Sequence, residues 1–196
     1  MIIGITGGSG GGKTTALNAI RELGGTVLDC DAIYHELLKT DKDLLAKIEA
    51  RFPGTVENGA LDRKKLGSIV FADEIALDAL NKLTHHAVKE KVISLLTPEP
   101  KLAAIDAIAL FESGLSELCQ LTVAVIAPTE DRINRLMARD GIAEEYAKLR
   151  IQAQKSDDWF RQKCDRILEN TGTQAQFHTK CLAFFQELDI MNTETT

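Results

Sequence analysis

Residues 1–15, MIIGITGGSGGGKTT, place a short apolar run directly before a glycine-rich stretch that ends in one lysine and two threonines. The apolar run predicts a buried strand of a parallel sheet, because such strands have helices on both sides. Residues 13–23 repeat apolar side chains at helical spacing, and Gly24 and Gly25 then end the helix. The sequence therefore predicts a strand, a glycine loop and a helix in that order.

The glycine loop matches the phosphate-binding pattern G-x-x-x-x-G-K-[ST] at residues 7–14. Glycines allow consecutive backbone N–H groups to turn toward one point, and the helix N-terminus adds partial positive charge. We expect Lys13 to reach the β- and γ-phosphates of a nucleotide, and the Thr14 hydroxyl to hold a Mg²⁺ ion that bridges them. The pattern predicts triphosphate binding but leaves open whether water, a protein or a small molecule receives the phosphate.

The remainder of the chain predicts an α/β fold: a mainly parallel sheet flanked by helices. Apolar runs predict further strands in TVLDCD, KLAAIDAIAL and LTVAVIA, and DRILEN is predicted as an edge or central strand. Residues 31–97 show helical spacing with no convincing strand, which indicates a helical insertion. Residues 129–163 are helical and rich in arginine, and residues 173–188 form a closing helix.

Composition and charge exclude several classes of protein. The net charge of −6 and the pI near 5.3 disfavour non-specific nucleic-acid binding and a basic membrane patch. No apolar run approaches the ~20 residues of a spanning helix, and the N-terminus lacks the features of a signal peptide. The four cysteines are far apart and are interpreted as reduced thiols of a cytoplasmic protein.

Three acidic residues follow predicted strands, where parallel sheets bind ligands. Asp29 and Asp31 are expected on one face of the second strand, with Asp31 at its carboxyl end. Asp31 is a candidate for orienting an acceptor hydroxyl toward the γ-phosphate, and the alternative is that it caps the next helix. Asp106 is a candidate for holding Mg²⁺ through water, and the alternative is a hydrogen bond to the phosphate loop or a cap.

The arginine-rich segment has two interpretations. Arg132, Arg135 and Arg139 share one helical face, as expected either for exposed salt bridges or for a lid that brings guanidinium groups to the phosphates. Arg139 is the preferred lid arginine, with Arg150 a weaker candidate. Asn170, after the last strand, is predicted either to contact adenine or to form a turn.

Taken together, these motifs resemble those of the dephospho-coenzyme A kinase family over nearly the whole chain. The resemblance includes GITGGSGGGKTT, TVLDCDAIYHELL, NGALDRKKLGSIVF, AIDAIALFESGL and RINRLMARDGIAEEYAKLRIQAQ. That family transfers the γ-phosphate of ATP to the ribose 3′-hydroxyl of dephospho-coenzyme A, the last step of coenzyme A biosynthesis. Departures include His85-His86 where the family usually has His-Pro, and His35 at a common arginine position.

The resemblance implies a single P-loop kinase domain over residues 1–196 and a set of site residues. Its core would comprise residues 1–31, 101–128 and 164–190, its helical substrate lobe about 32–100, and its lid about 129–163. The implied ligands are ATP, Mg²⁺ and dephospho-coenzyme A, in a monomer or small homo-oligomer. The catalytic residues given by the motif and the resemblance are Lys13, Asp31 and Arg139. The metal residues predicted from the motif and the strand ends are Thr14 and Asp106, and the predicted ATP-binding residues are Gly8, Gly10, Gly11, Gly12, Lys13, Thr14, Thr15 and Asn170.

Other functions make distinct predictions. A nucleoside or nucleotide kinase would use the same core with another acceptor. A P-loop GTPase or ATPase would release phosphate without an acceptor, but the sequence lacks the base-reading Asn-Lys-x-Asp, because NKLT at residues 81–84 ends in threonine. A dinucleotide-binding oxidoreductase would leave Lys13 and Thr14 without a role.

Overall fold

Strands and helices alternate along the chain and build one parallel sheet with helices on both faces. The computed structural model describes residues 1–193, and the side chains of residues 1–188. The strands are β1 (Ile2–Thr6), β2 (Thr26–Asp29), β3 (Val56–Glu57), β4 (Ala60–Leu61), β5 (Ala103–Asp106), β6 (Leu121–Ile126) and β7 (Arg166–Glu169). The five-stranded sheet has the order β2-β5-β1-β6-β7, and all its neighbouring strands are parallel. The predicted fold class is confirmed.

Nine α-helices lie in the described residues 1–193, and a short 3-10 helix (Leu115–Leu118) precedes β6. The predicted substrate lobe contains α2 to α5, and the predicted lid contains α6 to α8. The helices are α1 (Lys13–Glu22), α2 (Cys30–Thr40), α3 (Lys42–Arg51), α4 (Arg63–Val70), α5 (Glu74–Leu95), α6 (Thr129–Asp140), α7 (Glu144–Gln152), α8 (Asp157–Lys163) and α9 (Gln174–Thr193).

The side chains of β1 alternate between two hydrophobic layers, because successive strand residues point to opposite faces of the sheet. Ile3 and Ile5 pack with α1 and α9, whereas Ile2 packs with residues of α2 to α5. Ile3 and Ile5 are fully buried, and each such burial contributes roughly 1.5–3 kcal/mol relative to an exposed side chain. The strand that precedes the glycine loop is therefore fixed from both sides.

The strand order places a ligand crevice between β1 and β6. The chain leaves β1 toward β2 on one side of the sheet, and it leaves β6 toward β7 on the other. Such a reversal opens a crevice at the carboxyl ends of parallel strands, where α/β proteins bind ligands. The glycine loop begins directly after Thr6, so it lies at this crevice.

The prediction that residues 31–97 contain no strand is wrong. Strands β3 and β4 form an antiparallel hairpin with the register Val56↔Leu61 and Glu57↔Ala60. Both turn residues are left-handed, with φ 51° at Asn58 and φ 77° at Gly59, as expected for a two-residue Asn-Gly hairpin. Each strand has only two residues, which is too short to show an alternating pattern.

The second strand is shorter than predicted, which changes the position of one candidate residue. Strand β2 ends at Asp29, and helix α2 begins at Cys30, so Asp31 lies in the first helical turn. Asp29 and Asp31 therefore do not share a strand face. Strand β7 lies at the edge of the sheet, and the four cysteines are free thiols. Within residues 1–193, no helix combines the length and apolar composition of a membrane span.

Candidate active site

The glycines of the phosphate loop lie against protein atoms on three sides. A Cβ atom at Gly11 would lie 2.7 Å from the carbonyl oxygen of Val125 in β6. At Gly10, which has φ 77°, it would lie 2.8 Å from the carbonyl oxygen of Arg132 in α6. At Gly12, with φ 108°, it would collide with the side chain of Asn170. Larger residues are therefore excluded by packing as well as by backbone conformation.

The carbonyl groups of the loop are held by hydrogen bonds to side chains from three different elements. These bonds pair the loop carbonyl oxygens with donors of the protein. The N–H groups of Gly10, Gly12 and Lys13 have no acceptor within the described part of the chain. Free N–H groups of this kind form an anion-binding nest. The pairs are Lys13 Nζ to Gly7 O at 2.7 Å, Arg132 Nε to Ser9 O at 3.0 Å, Arg135 Nη1 to Gly10 O at 3.0 Å and Asn170 Nδ2 to Gly11 O at 2.9 Å.

A cavity of about 670 Å³ opens above the loop and brings together most of the predicted site residues. Thr15 and Asn170 are absent from its lining. Ile108, Leu136 and Ala138 add an apolar part to its wall. The predicted residues that line it are Gly8, Gly10, Gly11, Gly12, Lys13, Thr14, Asp31, Asp106, Arg139 and Arg150.

The two acids after β2 have separate structural positions. Asp29 is the N-cap of α2, and its Oδ1 accepts a hydrogen bond from Ala32 N at 2.9 Å. The interpretation of Asp31 as that cap is therefore wrong. Asp31 lines both the phosphate cavity and a second cavity of about 290 Å³ beside α5. Asp31 therefore belongs to the wall that the two cavities share.

The second cavity combines aromatic, polar and apolar side chains from the predicted substrate lobe. Tyr34, Asn81 and His85 contribute polar atoms to its wall. Burial lowers the pKa of His85, while the neighbouring Glu112 opposes that shift. His86 lies away from this cavity and pairs with Glu90 at 3.5 Å. Adjacent helical residues point in different directions, so His85 is the histidine of this pair at the candidate acceptor site.

Burial and neighbouring charges perturb the pKa values of Asp106 and Lys13, which both line the phosphate cavity. Burial raises the pKa of Asp106 to about 6, an effect that Lys13 opposes and that Asp29 and Asp31 reinforce. Burial lowers the pKa of Lys13, while Asp106 and Asp31 raise it. A carboxylate and an ammonium group with perturbed pKa values in one partly desolvated cavity are the kind of pair found at functional sites.

The arginines of the predicted lid divide into two groups. Arg132 is only 4% exposed, and it joins the loop to Asp157 of α8 through an ion pair of 3.3 Å. Arg135 also contacts the loop, so neither is a simple surface ion pair. Arg139 and Arg150 line the cavity, as Arg135 does, but they bind the carboxylate of Asp140 instead of the loop.

Asn170 is buried beneath the loop, where it supports Gly11. Its side chain is 4% exposed, and within the described residues its Oδ1 has no hydrogen-bond partner. The predicted contact with adenine stays a prediction. The alternative was a turn formed with Gly172. The chain bends at Gly172, but the Asn170 side chain donates its hydrogen bond to Gly11 O.

Sequence analysis missed Gln154, which lies between α7 and α8. Its Oε1 accepts a hydrogen bond from Ser9 N at 2.8 Å, and its Nε2 donates to Ser9 Oγ at 2.8 Å. Gln154 therefore fixes the phosphate-loop residue whose carbonyl is held by Arg132. The contact joins residues 145 positions apart, and no local pattern marks it.

Comparison with known proteins assigns the chain to a family. The sequence model of dephospho-CoA kinase matches residues 1–176. The chain belongs to the dephospho-CoA kinase family. A dephospho-CoA kinase from Geobacillus kaustophilus is 34% identical over 197 residues, which cover 97% of this chain and 98% of the relative.

Solved structures of similar proteins agree with this dephospho-CoA kinase assignment. The Campylobacter jejuni dephospho-CoA kinase is 29% identical, with a TM-score of 0.72 over 97% of this chain and 98% of that chain. The Thermus thermophilus protein TT1252 is 34% identical, with a TM-score of 0.79 over 96% of this chain and 97% of that chain. This chain is a kinase with the α/β fold of its family.

Proposed function

We propose that this chain transfers the γ-phosphate of ATP to the ribose 3′-hydroxyl of dephospho-coenzyme A, giving coenzyme A and ADP. The observation that carries this proposal is the position of Asp31 in the wall shared by the phosphate cavity and the cavity beside α5. A kinase needs such a junction, because its two substrates must meet at the transferred phosphorus. Family membership supports dephospho-coenzyme A as the acceptor.

In the proposed reaction, Asp31 accepts a hydrogen bond from the acceptor hydroxyl and aims its oxygen at the γ-phosphorus. A new phosphorus–oxygen bond forms on that side, and the bond to the β-phosphate oxygen breaks. ADP leaves with the bonding electron pair, while the hydroxyl proton passes to Asp31. An aspartate is a weak base, but the transition state is loose, so orientation contributes more than early proton removal.

Positive charge around the cavity would stabilise the transferring phosphoryl group. Lys13 would exchange its hydrogen bond to Gly7 O for the β- and γ-phosphates, and Arg139 would approach from the lid. The N–H groups of the loop and of the first turn of α1 would bind the β-phosphate.

We further propose that the chain is divided into a core, a substrate lobe at about 32–100 and a lid at about 129–163.

The site has oxygen ligands that suit Mg²⁺. The Thr14 hydroxyl and the Asp106 carboxylate both line the phosphate cavity, and Thr14 is exposed. Hard oxygen donors, together with water and phosphate oxygens, are the ligands that Mg²⁺ prefers. When bound, the ion would neutralise charge on the β- and γ-phosphates.

We propose that the protein acts in the cytoplasm.

The proposal is tested by ADP production from Mg²⁺–ATP with and without dephospho-coenzyme A, with the product identified by mass spectrometry. We expect ADP that depends on the acceptor, and a product that is heavier by one phosphate group. Adenosine monophosphate and uridine serve as alternative acceptors for a nucleotide or nucleoside kinase. Equal ADP production without acceptor would indicate an ATPase and contradict the proposal.

A further inference from the structure

Asp140 connects two arginines that reach the phosphate cavity from different helices. Its Oδ1 accepts a hydrogen bond from Arg139 Nε at 2.7 Å, and its Oδ2 accepts one from Arg139 Nη2 at 3.0 Å. Oδ2 also accepts a hydrogen bond from Arg150 Nη1 at 2.7 Å. Arg139 belongs to α6 and Arg150 to α7, so one carboxylate fixes the ends of both lid helices relative to each other.

The local backbone determines where this carboxylate lies. Asp140 is the last residue of α6, and Gly141 ends the helix with φ 64°, a left-handed conformation that favours glycine. The chain then reverses into α7, which brings Arg150 back toward Asp140. Asp140 itself does not line the phosphate cavity, whereas both of its arginine partners do. Its effect on a ligand in that cavity would therefore be exerted through them.

Electrostatics favour an intact cluster. Two guanidinium groups that approach the same carboxylate would otherwise repel each other, and the Asp140 charge offsets that repulsion. Hydrogen bonds from Arg139 and Arg150 lower the pKa of Asp140 to about 2, so the carboxylate is ionised near neutral pH. The Asp140 side chain is 24% exposed and that of Arg139 is 61% exposed, so Arg139 retains access to the cavity.

We propose that Asp140 is a positioning residue that holds Arg139 and Arg150 at the phosphate cavity for phosphoryl transfer. This inference rests on the proposed function, because it assigns the two arginines to the transferring phosphate. Without the carboxylate, two long side chains would lose a shared acceptor and sample many rotamers. Guanidinium groups must be in place before the transition state forms if they are to stabilise it.

The alternative is that Asp140, Arg139 and Arg150 form only a surface ion-pair cluster that has no part in the reaction. Exposed ion pairs contribute little to stability, typically about 0–1 kcal/mol. The two interpretations differ in kinetics. A positioning role lowers kcat and leaves the affinity for ATP nearly unchanged, whereas a purely structural role alters thermal stability without a selective loss of kcat.

The test is a set of variants within the lid. Asp140→Asn is expected to lower kcat about 10-fold or more, with a change in the ATP KM below about 3-fold. Asp140→Glu, which restores the charge, should recover part of the loss. Glu144→Gln is the matched control, because it removes an exposed ion pair to Lys148 on the same lid. It should leave kcat within about 2-fold.

A double-mutant cycle shows whether Asp140 acts through the arginines. In an Arg139→Gln/Arg150→Gln background, adding Asp140→Asn should cause no further loss of kcat, because interacting residues are not additive. An unchanged kcat in the single variant, or a full additional loss in the background that lacks Arg139 and Arg150, would overturn the proposal.

NMR of the Arg139 Nε–H group separates this inference from the proposed function. Failure of the proposed function would appear in the parent enzyme as a lack of acceptor-dependent ADP. The order parameter of the Arg139 Nε–H group reports how restricted this side chain is, and it can be measured whether or not the enzyme is active. Asp140→Asn should lower this order parameter. A group that stays as ordered as in the parent would overturn the positioning role in either case.

Discussion

Asp106→Asn should stabilise the folded protein at neutral pH while impairing transfer. Asp106 is the last residue of β5, and it lines the phosphate cavity. The surrounding protein partly removes its carboxylate from water. Its ionised form is therefore disfavoured in the fold but not in the unfolded chain. An asparagine has nearly the same shape and carries no charge, so it removes this cost together with the proposed contact to Mg²⁺.

The pKa of Asp106 sets the size of the effect. A rise from 3.8 to about 6 corresponds to a cost of at most roughly 3 kcal/mol for the ionised carboxylate. That bound already includes the opposing attraction of Lys13, and the real gain is smaller because Asp106 is only partly buried, so water screens its charge. We therefore expect the free energy of unfolding at about pH 7.5 to rise by about 1–2 kcal/mol in the variant.

The sign of the pH dependence follows from the raised pKa. Below pH 3.8, the carboxyl is protonated in both states of the parent, so parent and variant differ little. Between pH 3.8 and about 6, the unfolded chain ionises while the folded protein keeps its proton, so the stability of the parent falls as pH rises. Above about pH 6, both states are ionised, and the advantage of the variant levels off.

Urea unfolding monitored by circular dichroism, from about pH 5 to about pH 7.5, measures this difference. The advantage of Asp106→Asn should grow by about 1 kcal/mol over that range. Asp165→Asn is a control with the opposite sign, because hydrogen bonds from the Thr122 hydroxyl and backbone N–H lower the pKa of Asp165. Its stability deficit should be present at neutral pH and shrink under acidic conditions. A less stable Asp106→Asn protein at about pH 7.5, or a pH-independent difference, would refute the reasoning.

Three further substitutions, two of them paired with a control variant, test the loop and the acceptor side. Asp31→Asn should lower kcat about 100-fold or more with little change in ATP affinity by calorimetry, whereas Asp29→Asn should stay within about 3-fold because asparagine also caps helices; equal activity of both would remove Asp31 from the mechanism. Lys13→Ala should lower single-turnover transfer about 100-fold or more, and an unchanged rate would contradict its contact with the phosphates. Gly10→Ala should weaken ATP binding and lower the melting temperature more than Gly24→Ala, because both have positive φ but only Gly10 lacks room for a Cβ. Similar losses in the two glycine variants would show that the positive φ, and not the lack of room for a Cβ atom, causes the loss.

Local sequence patterns were sufficient where a structural feature is encoded within a few residues. Strand β1, the glycine loop and α1 form a continuous segment, and residues 7–14 carry an eight-residue pattern with a defined backbone. The strands that follow are short apolar runs in a parallel sheet, so their existence was predictable. The residues at which these strands end were less predictable, because the two residues after Asp29 are compatible with either a strand or a first helical turn.

Long-range contacts could not be read from the sequence. Gln154 binds Ser9 across 145 positions, and the predicted arginine face of α6 separates into Arg132, which is buried, and Arg139, which remains exposed. Helical spacing shows that these arginines share a face, but not how far that face is covered by the loop. The acidic partner of Arg139 was visible in the sequence as the next residue, yet its second partner, Arg150, became evident only from the turn between α6 and α7.

The glycine loop illustrates why a motif can predict function while its structural cause remains partly hidden. The sequence assigns the glycines to phosphate binding, because bare backbone can form an anion nest. The structure adds a second requirement at the same positions: Gly10 and Gly11 contact the backbones of α6 and β6, and Gly12 contacts Asn170. These contacts are made with the protein itself, so they restrict the conformations open to the loop. Pre-organisation lowers the entropic cost of binding, and the same residues therefore satisfy both packing and recognition.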